Sequence, residues 1–593
     1  MIFVENHSIQ KKEGFLSLNY ADAIPVLLLI LILAIATFFR LYQLDSLPPG
    51  LFQDVAFNGI SALDSLEKNE FKMSYKGDEG LFIYLVALSF SIFGASIWSI
   101  KIVAAVIGIL TVVGLYLFAK ELFSLTNDKL SSEIIALVSS FLLAISSWHT
   151  NFSRLGFRAI LLPFVLVFSF YFLFKGFRRK KVLDYIVSGI FLGLGFYTYT
   201  AYRVIILLLP ATIFFLFLIY RDKKEEKQFA PLATYCLLTI ALVVLPFGIY
   251  FLQNPDQFFV RAADVSIFKQ ESPLGALFSN LIKYLGMFNF SGDPTWQHNY
   301  PGSTQLFWPV GILFLIGFSF SIKEVIAAVK NKNYPLLYLH GSLLSWFFIF
   351  LLPGVLSYGA PSSLRTIGII PIVFIFAAEG GWFLYNYLIY ELPRLKGRGI
   401  PSGKFFCGLS LLPRPQGILP QNKKENYKNL LILASVIFLL IAGIAEFKKY
   451  FIDWGRSQEL ENTFLTYQLK IGEYLNSLAP DVQKYVIADY ILVDNLGRQV
   501  PFLNFPELAQ GPFFIEKAWM FNHPNDPPKE PTIYLTPEAL DKINTNGELS
   551  IYKSGKVVIV PLFHYPDFLE KISEKFPGGK IENHNGVWSY EIN

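Results

Sequence analysis

Charged residues are scarce in this chain. Asp, Glu, Lys and Arg make up 16% of its 593 residues, whereas apolar residues make up 53% and the mean hydropathy is +0.45. This balance excludes an ordinary soluble protein and predicts a polytopic membrane protein with a soluble appendage. The net charge of +5 does not indicate a nucleic-acid partner, because the Lys and Arg residues cluster between apolar runs, where they report membrane orientation.

Cysteines and the common catalytic motifs are also scarce. Cys236 lies within an apolar run and Cys407 in a basic loop, so no disulfide is expected in the polar tail after residue 447. The sequence contains no P-loop, dinucleotide fingerprint, HExxH or paired-cysteine motif. ATP hydrolysis and zinc proteolysis are therefore not indicated, and no definite cofactor is implied, although a divalent cation stays open.

Long apolar runs are what the sequence has in abundance. Each is close to the roughly 20 residues that a membrane-spanning helix needs. We count eleven of them, at about 23–43, 99–119, 133–150, 157–175, 182–200, 204–220, 231–252, 305–322, 334–352, 366–390 and 429–446. The first run lacks a cleavage site and is interpreted as a retained anchor.

A twelfth run, residues 81–93, is shorter and decides the topology. If it lies at the membrane interface, the strong basic clusters at 175–181, 221–224, 323–332 and 394–428 all fall on one side. The positive-inside rule favours this arrangement. It predicts a cytoplasmic N-terminal segment, 1–22, a transmembrane domain, 23–450, and an extracytoplasmic α/β domain, 451–593, on a multi-pass protein of the cytoplasmic membrane.

The loop at 48–59, which follows the first span, contains one acidic residue, Asp54. Pro48, Pro49 and Gly50 end the preceding helix, and apolar residues then recur at helical spacing, so Asp54 is expected to cap a flat amphipathic helix at the membrane surface. A carboxylate held there can act as a general base on an attacking hydroxyl. The alternative is that Asp54 only caps the helix.

The same topology collects several arginines on the outer side, at helix ends. They are candidates for holding an anionic group, although each alone is also explained by snorkelling or a helix-end salt bridge. These candidates are Arg154, Arg158, Arg203 and Arg365. His298 follows Asp293 by five residues in an outer loop, which suits either a weak metal pair or a turn stabilised by side-chain hydrogen bonds.

The tail after residue 447 has the pattern of a small α/β domain. Strands are predicted around 485–490, 532–535 and 556–560, and a short helix at 537–543. The domain has no evident catalytic motif. The Gly- and Pro-containing basic loop at 394–428 is predicted to be flexible.

Several blocks, in this order, resemble a known superfamily: the polyprenyl-phosphate-sugar-dependent membrane glycosyltransferases that include the dolichyl-phosphate-mannose protein mannosyltransferases and the aminoarabinose transferases, with the GT-C fold. The resemblance covers about residues 40–450. The blocks are LPPGLFQD (47–54), EGLFIY (79–84) with FG (93–94), FSRLGFR (152–158), GDPTWQHNYPG (292–302), LPGVLS (352–357), AP (360–361) and LR (364–365).

The resemblance implies an α-helical polytopic protein whose first outer loop carries the catalytic acid, followed by two juxtamembrane helices. Asp54 matches that acid, while Val55 stands where many members have a second acid. Glu79 matches an acid near the second juxtamembrane helix, but Gly80 replaces the Lys or Pro that follows it in many members. The expected phosphate contacts therefore shift to Arg158, Arg203 and Arg365.

The resulting expectation is a hexosyl or pentosyl transferase of the cell envelope. It would move a sugar from a polyprenyl-phosphate donor to an acceptor hydroxyl on a glycan, lipid or protein, at the outer face of the membrane and with membrane lipids around it. Asp54 would be the base, and Glu79, Arg154, Arg158, Arg203, His298 and Arg365 would bind substrate. A phosphate is a good leaving group, so a second carboxylate to protonate it is not required. The alternatives are a transporter or flippase of lipid-linked glycans, and a catalytically inactive scaffold.

Overall fold

The structure is a computed structural model of the chain. It describes residues 20–70, 72–75, 78–126, 128–222, 226–257, 265–391, 421–487, 492–493, 499–500, 510–526, 529, 532–535, 556–562 and 566–592. Cys407, residues 394–420 of the predicted flexible loop at 394–428, and the predicted helix at 537–543 lie outside these residues. The end of that loop, 421–428, is helical, so the prediction of a flexible loop is wrong there. Cys236 is buried and is a free thiol.

The first part of the chain is helical. Its helices are α1 (Tyr20–Leu41), α2 (Gln53–Lys68), α3 (Leu81–Phe93), α4 (Ile97–Phe123), α5 (Lys129–Ile145), α6 (Ser147–Phe152), α7 (Leu161–Arg179), α8 (Val182–Leu194), α9 (Ile205–Asp222), α10 (Glu226–Gln253), α11 (Pro273–Gly286), α12 (Trp308–Asn331), α13 (Tyr334–Val355), α14 (Ile370–Asn386) and α15 (Gln421–Phe447). Two-residue strands β1 (Ser74–Tyr75) and β2 (Asp78–Glu79) pair between α2 and α3.

Within the described ranges, nine helices are long and apolar enough to cross a membrane. They correspond to nine of the predicted spans. The other two predicted spans, 133–150 and 182–200, fall on α5 and α8, which are shorter and pack against α4 and α7 respectively. The chain is therefore a multi-span membrane protein, and the predicted helical fold class is confirmed.

Helix α3 has the length that its sequence predicted. Its 13 residues extend about 20 Å, well short of a hydrocarbon core of about 30 Å. It packs against α2 on one side and α4 on the other, and Phe82, Ile83, Val86 and Phe90 are buried there. The two juxtamembrane helices therefore form one unit at the end of α4.

The last part of the chain contains a small sheet. Its elements are α16 (Glu459–Thr463), α17 (Thr466–Ser477), β3 (Gln483–Ile487), β4 (Leu492–Val493), β5 (Gln499–Val500), α18 (Gln510–Asn522), β6 (Ile533–Leu535), β7 (Val557–Pro561), α19 (Pro566–Lys575), β8 (Lys580–His584) and β9 (Val587–Ile592). The five-stranded sheet has the order β6-β3-β7-β9-β8, with β3 parallel to β6 and β7, and β9 antiparallel to β7 and β8. The three strands predicted in the tail are present.

Helix α18 joins this region to the juxtamembrane helices. Lys517 Nζ lies 2.6 Å from Asp64 Oδ1 and 2.8 Å from Glu67 Oε2 on α2. The Asn522 amide donates to the Ala95 carbonyl at 2.8 Å and accepts from the Ala95 N–H at 2.9 Å. The C-terminal region therefore holds both juxtamembrane helices at their far ends.

Candidate functional site

Asp54 lies in the first turn of α2. The helix starts at Gln53 and Phe52 occupies the N-cap position without a side-chain cap, so the prediction that Asp54 caps the helix is wrong. A carboxylate in the first turn still gains from the positive end of the helix dipole. The side chain is half-buried and has no hydrogen bond or ion pair with any described residue. The carboxylate is therefore open to contact with an incoming group.

The loop before α2 is fastened by its backbone. Gly50 has φ +65°, the left-handed conformation that favours glycine, and the adjacent Leu51 N–H donates to the Phe464 carbonyl at 2.9 Å. Lys101 Nζ donates to the Pro48 carbonyl at 2.7 Å. The chain therefore enters α2 from a fixed position.

Arg154 also holds the loop before α2 in place. Its guanidinium is fully buried and donates to the carbonyls of Phe39 (3.0 Å), Gln43 (2.9 Å) and Leu47 (2.8 Å). The guanidinium also lies over the rings of Tyr450 and Phe451, whose centres are 5.7 and 5.3 Å away, and these cation–π contacts stabilise its positive charge. These contacts tie the end of α1 to the start of α2.

Glu79, Arg158 and Arg203 are brought together. Glu79 Oε1 accepts from Arg203 Nη2 at 3.2 Å and from the Thr200 hydroxyl at 3.0 Å, and its Oε2 lies 3.8 Å from Arg158 Nε. The side chains of Glu79 and Arg158 are 2% and 3% exposed, and that of Arg203 is 16% exposed. One carboxylate between two guanidinium groups leaves a net charge of +1. We call these three residues the Glu79 cluster.

Aromatic rings connect the Glu79 cluster to the start of α2. The Arg158 guanidinium lies 4.8 Å from the ring centre of Phe157 and 5.8 Å from that of Tyr199. The Phe157 ring in turn packs against Phe52, with ring centres 6.1 Å apart. The helix start that carries Asp54 and the segment that carries Arg158 are therefore in contact through Phe52 and Phe157.

His298 belongs to a second group of polar residues. Its Nδ1 lies 3.0 Å from Asp293 Oδ2, which also accepts from the Ser363 N–H at 2.7 Å and hydroxyl at 2.9 Å, while Asp293 Oδ1 accepts from the Thr295 N–H at 2.9 Å. Burial alone would raise the Asp293 pKa, but these hydrogen bonds outweigh it and hold the pKa below its ordinary value. The arrangement is the side-chain-stabilised turn that the sequence suggested, and it fixes Ser363.

Arg365 lies two residues after Ser363 in the sequence. Its guanidinium donates to the Tyr358 carbonyl and lies 5.5 Å from the centre of the Tyr358 ring. The hydroxyl of Tyr284 accepts from the Ser362 N–H at 3.1 Å. Burial raises the pKa of Tyr284 to about 12, against a smaller opposite effect of Arg365. Arg365 thus lies beside the Asp293 turn, rather than in contact with Glu79.

The sequence reasoning missed two polar residues close to these groups. Thr200 donates to Glu79 from the same short helical turn, Thr200–Val204, that carries Arg203. Asn58 lies four residues after Asp54 on α2 and is fully buried. Sequence spacing could have indicated both residues. Asn58 lies one helical turn after the candidate base, and Thr200 lies three residues before a candidate arginine.

A candidate metal position is found only away from these residues, within the described part of the chain. Glu582, His584 and Glu591 lie close together on β8 and β9. However, Glu591 already accepts from Lys556 at 2.5 Å, Tyr474 at 2.7 Å and His584 at 2.8 Å. A neighbouring ammonium group opposes a bound cation, so this group is better explained as a salt-bridge network.

An apolar groove of about 330 Å³ lies along α10. Phe251 of this helix is 5.7 Å from the Arg203 guanidinium, measured to the centre of its ring. The groove is lined by Phe196, Leu237, Ile240, Ala241, Val244, Leu245, Gly248, Ile249 and Leu252. It therefore runs along a membrane-spanning helix whose end lies beside the Glu79 cluster.

Comparison with known proteins agrees with the fold. Residues 81–250 match the family model of dolichyl-phosphate-mannose-protein mannosyltransferase, a stretch that includes Arg158 and Arg203 but not Asp54. No curated protein matches the chain in sequence.

Two solved structures show the same architecture. ArnT from Cupriavidus metallidurans bound to undecaprenyl phosphate is 11% identical, with a TM-score of 0.53 over 96% of this chain and 97% of that one. The archaeal oligosaccharyltransferase AglB from Archaeoglobus fulgidus, in complex with an inhibitory peptide and a dolichol-phosphate, is 14% identical, with a TM-score of 0.52 over 96% of this chain and 74% of that one. The predicted resemblance is confirmed: the chain has the GT-C fold and is similar to ArnT and AglB in structure, and to the dolichyl-phosphate-mannose-protein mannosyltransferase family at residues 81–250.

Proposed function

We propose that this chain transfers a sugar from a polyprenyl-phosphate donor to an acceptor hydroxyl at the outer face of the cytoplasmic membrane. The observation that carries the proposal is the Glu79 cluster, a buried group of net positive charge in contact with the segment that leads into Asp54. Its position at the end of a membrane-spanning bundle suits a donor whose phosphate is fixed to a lipid.

The two arginines of the cluster would bind the donor phosphate. Each guanidinium offers five N–H donors, whereas a carboxylate has about four acceptor sites, so Glu79 can orient both groups without using all their donors. Planar guanidinium groups match the geometry of phosphate oxygens. As the bond between the sugar and the phosphate breaks, the same charges would stabilise the departing phosphate.

Asp54 would act as the general base. It would accept the proton of the acceptor hydroxyl while the hydroxyl oxygen attacks the anomeric carbon. Attack from the side opposite the leaving phosphate predicts inversion at that carbon. A divalent cation is not part of this proposal, because the Glu79 carboxylate is already shared by two arginines and Asp54 is followed by Val55 rather than by a second acid.

The groove along α10 would hold the polyprenyl tail. Its lining is apolar throughout, and the helix leads to Phe251 beside Arg203. A lipid lying in the groove would bring its phosphate to the Glu79 cluster from the membrane side. The acceptor would then approach Asp54 from the water.

The remaining predicted site residues receive different roles. We propose that Arg154 positions the first loop, because its guanidinium donates to three backbone carbonyls there. Arg365 and His298 would line the site next to the Asp293 turn. The proposed division is a cytoplasmic segment, 1–22, a catalytic transmembrane domain, 23–450, and an extracytoplasmic domain, 451–593, that holds the juxtamembrane helices.

The test uses the purified protein in lipid vesicles. Radiolabelled polyprenyl-phosphate mannose, glucose, galactose and aminoarabinose are offered with a cell-envelope extract as acceptor, and transfer is compared with that of Asp54→Asn. Loss of a general base should lower the rate by about 100-fold or more, while binding of polyprenyl phosphate is retained. Asp481→Asn, an exposed aspartate just before β3 and away from the first loop, is the control.

Two results would count against the proposal. If Asp54→Asn transfers sugar at the rate of the unaltered protein, Asp54 is not the base. If the protein moves labelled lipid across the bilayer without transferring sugar, the transporter alternative replaces the enzyme.

A further inference from the structure

The side chain of Asn58 is an unusual feature of α2. It is fully buried, and neither its amide oxygen nor its amide nitrogen has a hydrogen-bond partner among the described residues. A buried amide without partners costs free energy, because it has lost its hydrogen bonds to water and gained none in return. Each such group in a folded protein calls for an explanation.

Asn280 and Asn299 are buried as well, and both are bonded, whereas the amide oxygen of buried Asn289 also lacks a partner. Asn280 on α11 donates to the carbonyls of Val355 at 3.0 Å and Ser357 at 2.8 Å. Asn299 donates to the carbonyls of Asp293 and Ser303 at 3.1 and 3.0 Å. The chain thus gives partners to asparagines that stabilise its loops, and Asn58 differs from them.

The position of Asn58 points to the candidate site. Residues four apart lie on one face of a helix, so Asn58 is on the face of Asp54, one turn further along. The adjacent face is used for packing: Val55 lies against Gly156, and Gly59 against the ring of Phe514. The unpartnered amide therefore lies on the same face of α2 as the half-exposed carboxylate, one turn away.

We infer that Asn58 is a substrate-binding residue whose amide hydrogen-bonds a carbohydrate hydroxyl group held beside Asp54. An amide has both donors and an acceptor, and a hydroxyl group has one donor and two acceptor sites, so each can satisfy the other. A phosphate oxygen would accept from the amide N–H but would leave the amide oxygen without a partner. This inference rests on the proposed function, and the hydroxyl can belong to the donor sugar or to the acceptor.

A substrate-binding role and a structural role predict opposite changes in stability. If the Asn58 amide gains its partners only when substrate binds, replacing it with leucine, which has a similar shape, removes an unpaired buried polar group. The melting temperature of the substrate-free protein should then rise. If Asn58 stabilises the fold, the same change should lower it. Binding residues commonly carry such a cost in the empty protein.

The experiment measures thermal unfolding and sugar transfer for Asn58→Leu in lipid vesicles, with Asn58→Ala as a second variant in case leucine does not fit. We expect a higher melting temperature and a transfer rate about tenfold lower, the effect of one lost hydrogen bond in the reacting complex. Asn280→Leu is the matched control and should melt at a lower temperature, because it leaves two carbonyls without their donor.

A binding measurement identifies the source of the hydroxyl. The added thermal stability given by polyprenyl-phosphate mannose, glucose, galactose or aminoarabinose is compared with that given by polyprenyl phosphate alone. If Asn58 contacts the donor sugar, the Asn58 variants lose the difference between sugar-bearing and sugar-free lipid. If it contacts the acceptor, the difference is retained and the KM for acceptor rises.

The inference is overturned if both Asn58 variants melt at a lower temperature than the unaltered protein, or if they transfer sugar at an unchanged rate and KM. If the unaltered protein transfers none of the sugars, the proposed function fails and the binding measurement alone tests Asn58. In that case the inference is overturned if the Asn58 variants retain the sugar-dependent stabilisation.

Discussion

Replacing Glu79 with glutamine tests the charge balance of the candidate site directly. The substitution keeps the shape of the side chain and an oxygen that can accept from Thr200, but it removes the negative charge that Arg158 and Arg203 share. Removing one member of a buried ion pair costs about 3–5 kcal/mol. Because the Arg203 side chain is 16% exposed and partly solvated, we expect the lower end of that range, about 3 kcal/mol.

The same substitution should strengthen binding of a lipid phosphate. A carboxylate about 6 Å from a phosphate repels it by about 3 kcal/mol at an effective dielectric constant of about 20. Without that repulsion, and allowing for partial solvation, polyprenyl phosphate should bind Glu79→Gln about tenfold more tightly than it binds the unaltered protein. The assay is a thermal unfolding series over rising concentrations of polyprenyl phosphate.

Glu121→Gln is the matched control. Glu121 also accepts from an arginine, Arg178, but at the far end of α4 and α7. This variant should lose stability without any gain in affinity for polyprenyl phosphate. The reasoning on the Glu79 cluster is refuted if Glu79→Gln is as stable as the unaltered protein, or if both variants bind the lipid with unchanged affinity.

Two further predictions concern the supports of the site. Lys517→Ala should cost about 1 kcal/mol, since its partners on α2 are partly exposed, and should speed hydrogen exchange in residues 53–68 about fivefold, whereas the exposed Lys571→Ala should not. Asp293→Asn should lower the melting temperature at neutral pH. Because the folded-state pKa of Asp293 is lowered, its stabilisation is present above the unfolded pKa of about 3.9 and is lost as the pH falls through the folded-state pKa, so the difference from the variant should shrink below about pH 4.

The fold was predictable because its main determinant is hydrophobic length. Runs of about 20 apolar residues have few alternatives to a spanning helix, and a run of 13 residues such as 81–93 is too short to cross. The predicted spans 133–150 and 182–200 run past the ends of α5 and α8, which stop at Ile145 and Leu194. Apolar length therefore indicates a span better than it fixes its ends.

The site was predictable only in part, because contacts across the bundle do not follow from spacing along the chain. The predicted membrane topology placed Arg154, Arg158 and Arg203 on one side of the membrane, but it could not distinguish their roles. The structure gives Arg154 three backbone carbonyls, whereas the other two share Glu79. Helix boundaries do not follow from spacing either: the N-cap of α2 is Phe52, two residues before the predicted cap, so Asp54 lies in the first turn instead.

The valine after Asp54 bears on whether the site is active. Many relatives in the superfamily that the sequence resembles have a second acid there, yet Val55 is 1% exposed and packs against Gly156, next to Phe157. A carboxylate in this position would be buried in an apolar contact, at a cost of several kcal/mol unless it were paired. Val55 therefore fits the packing between α2 and the segment leading to Arg158, and its presence favours a chain adapted to one base, Asp54, over one that has lost half of an acid pair.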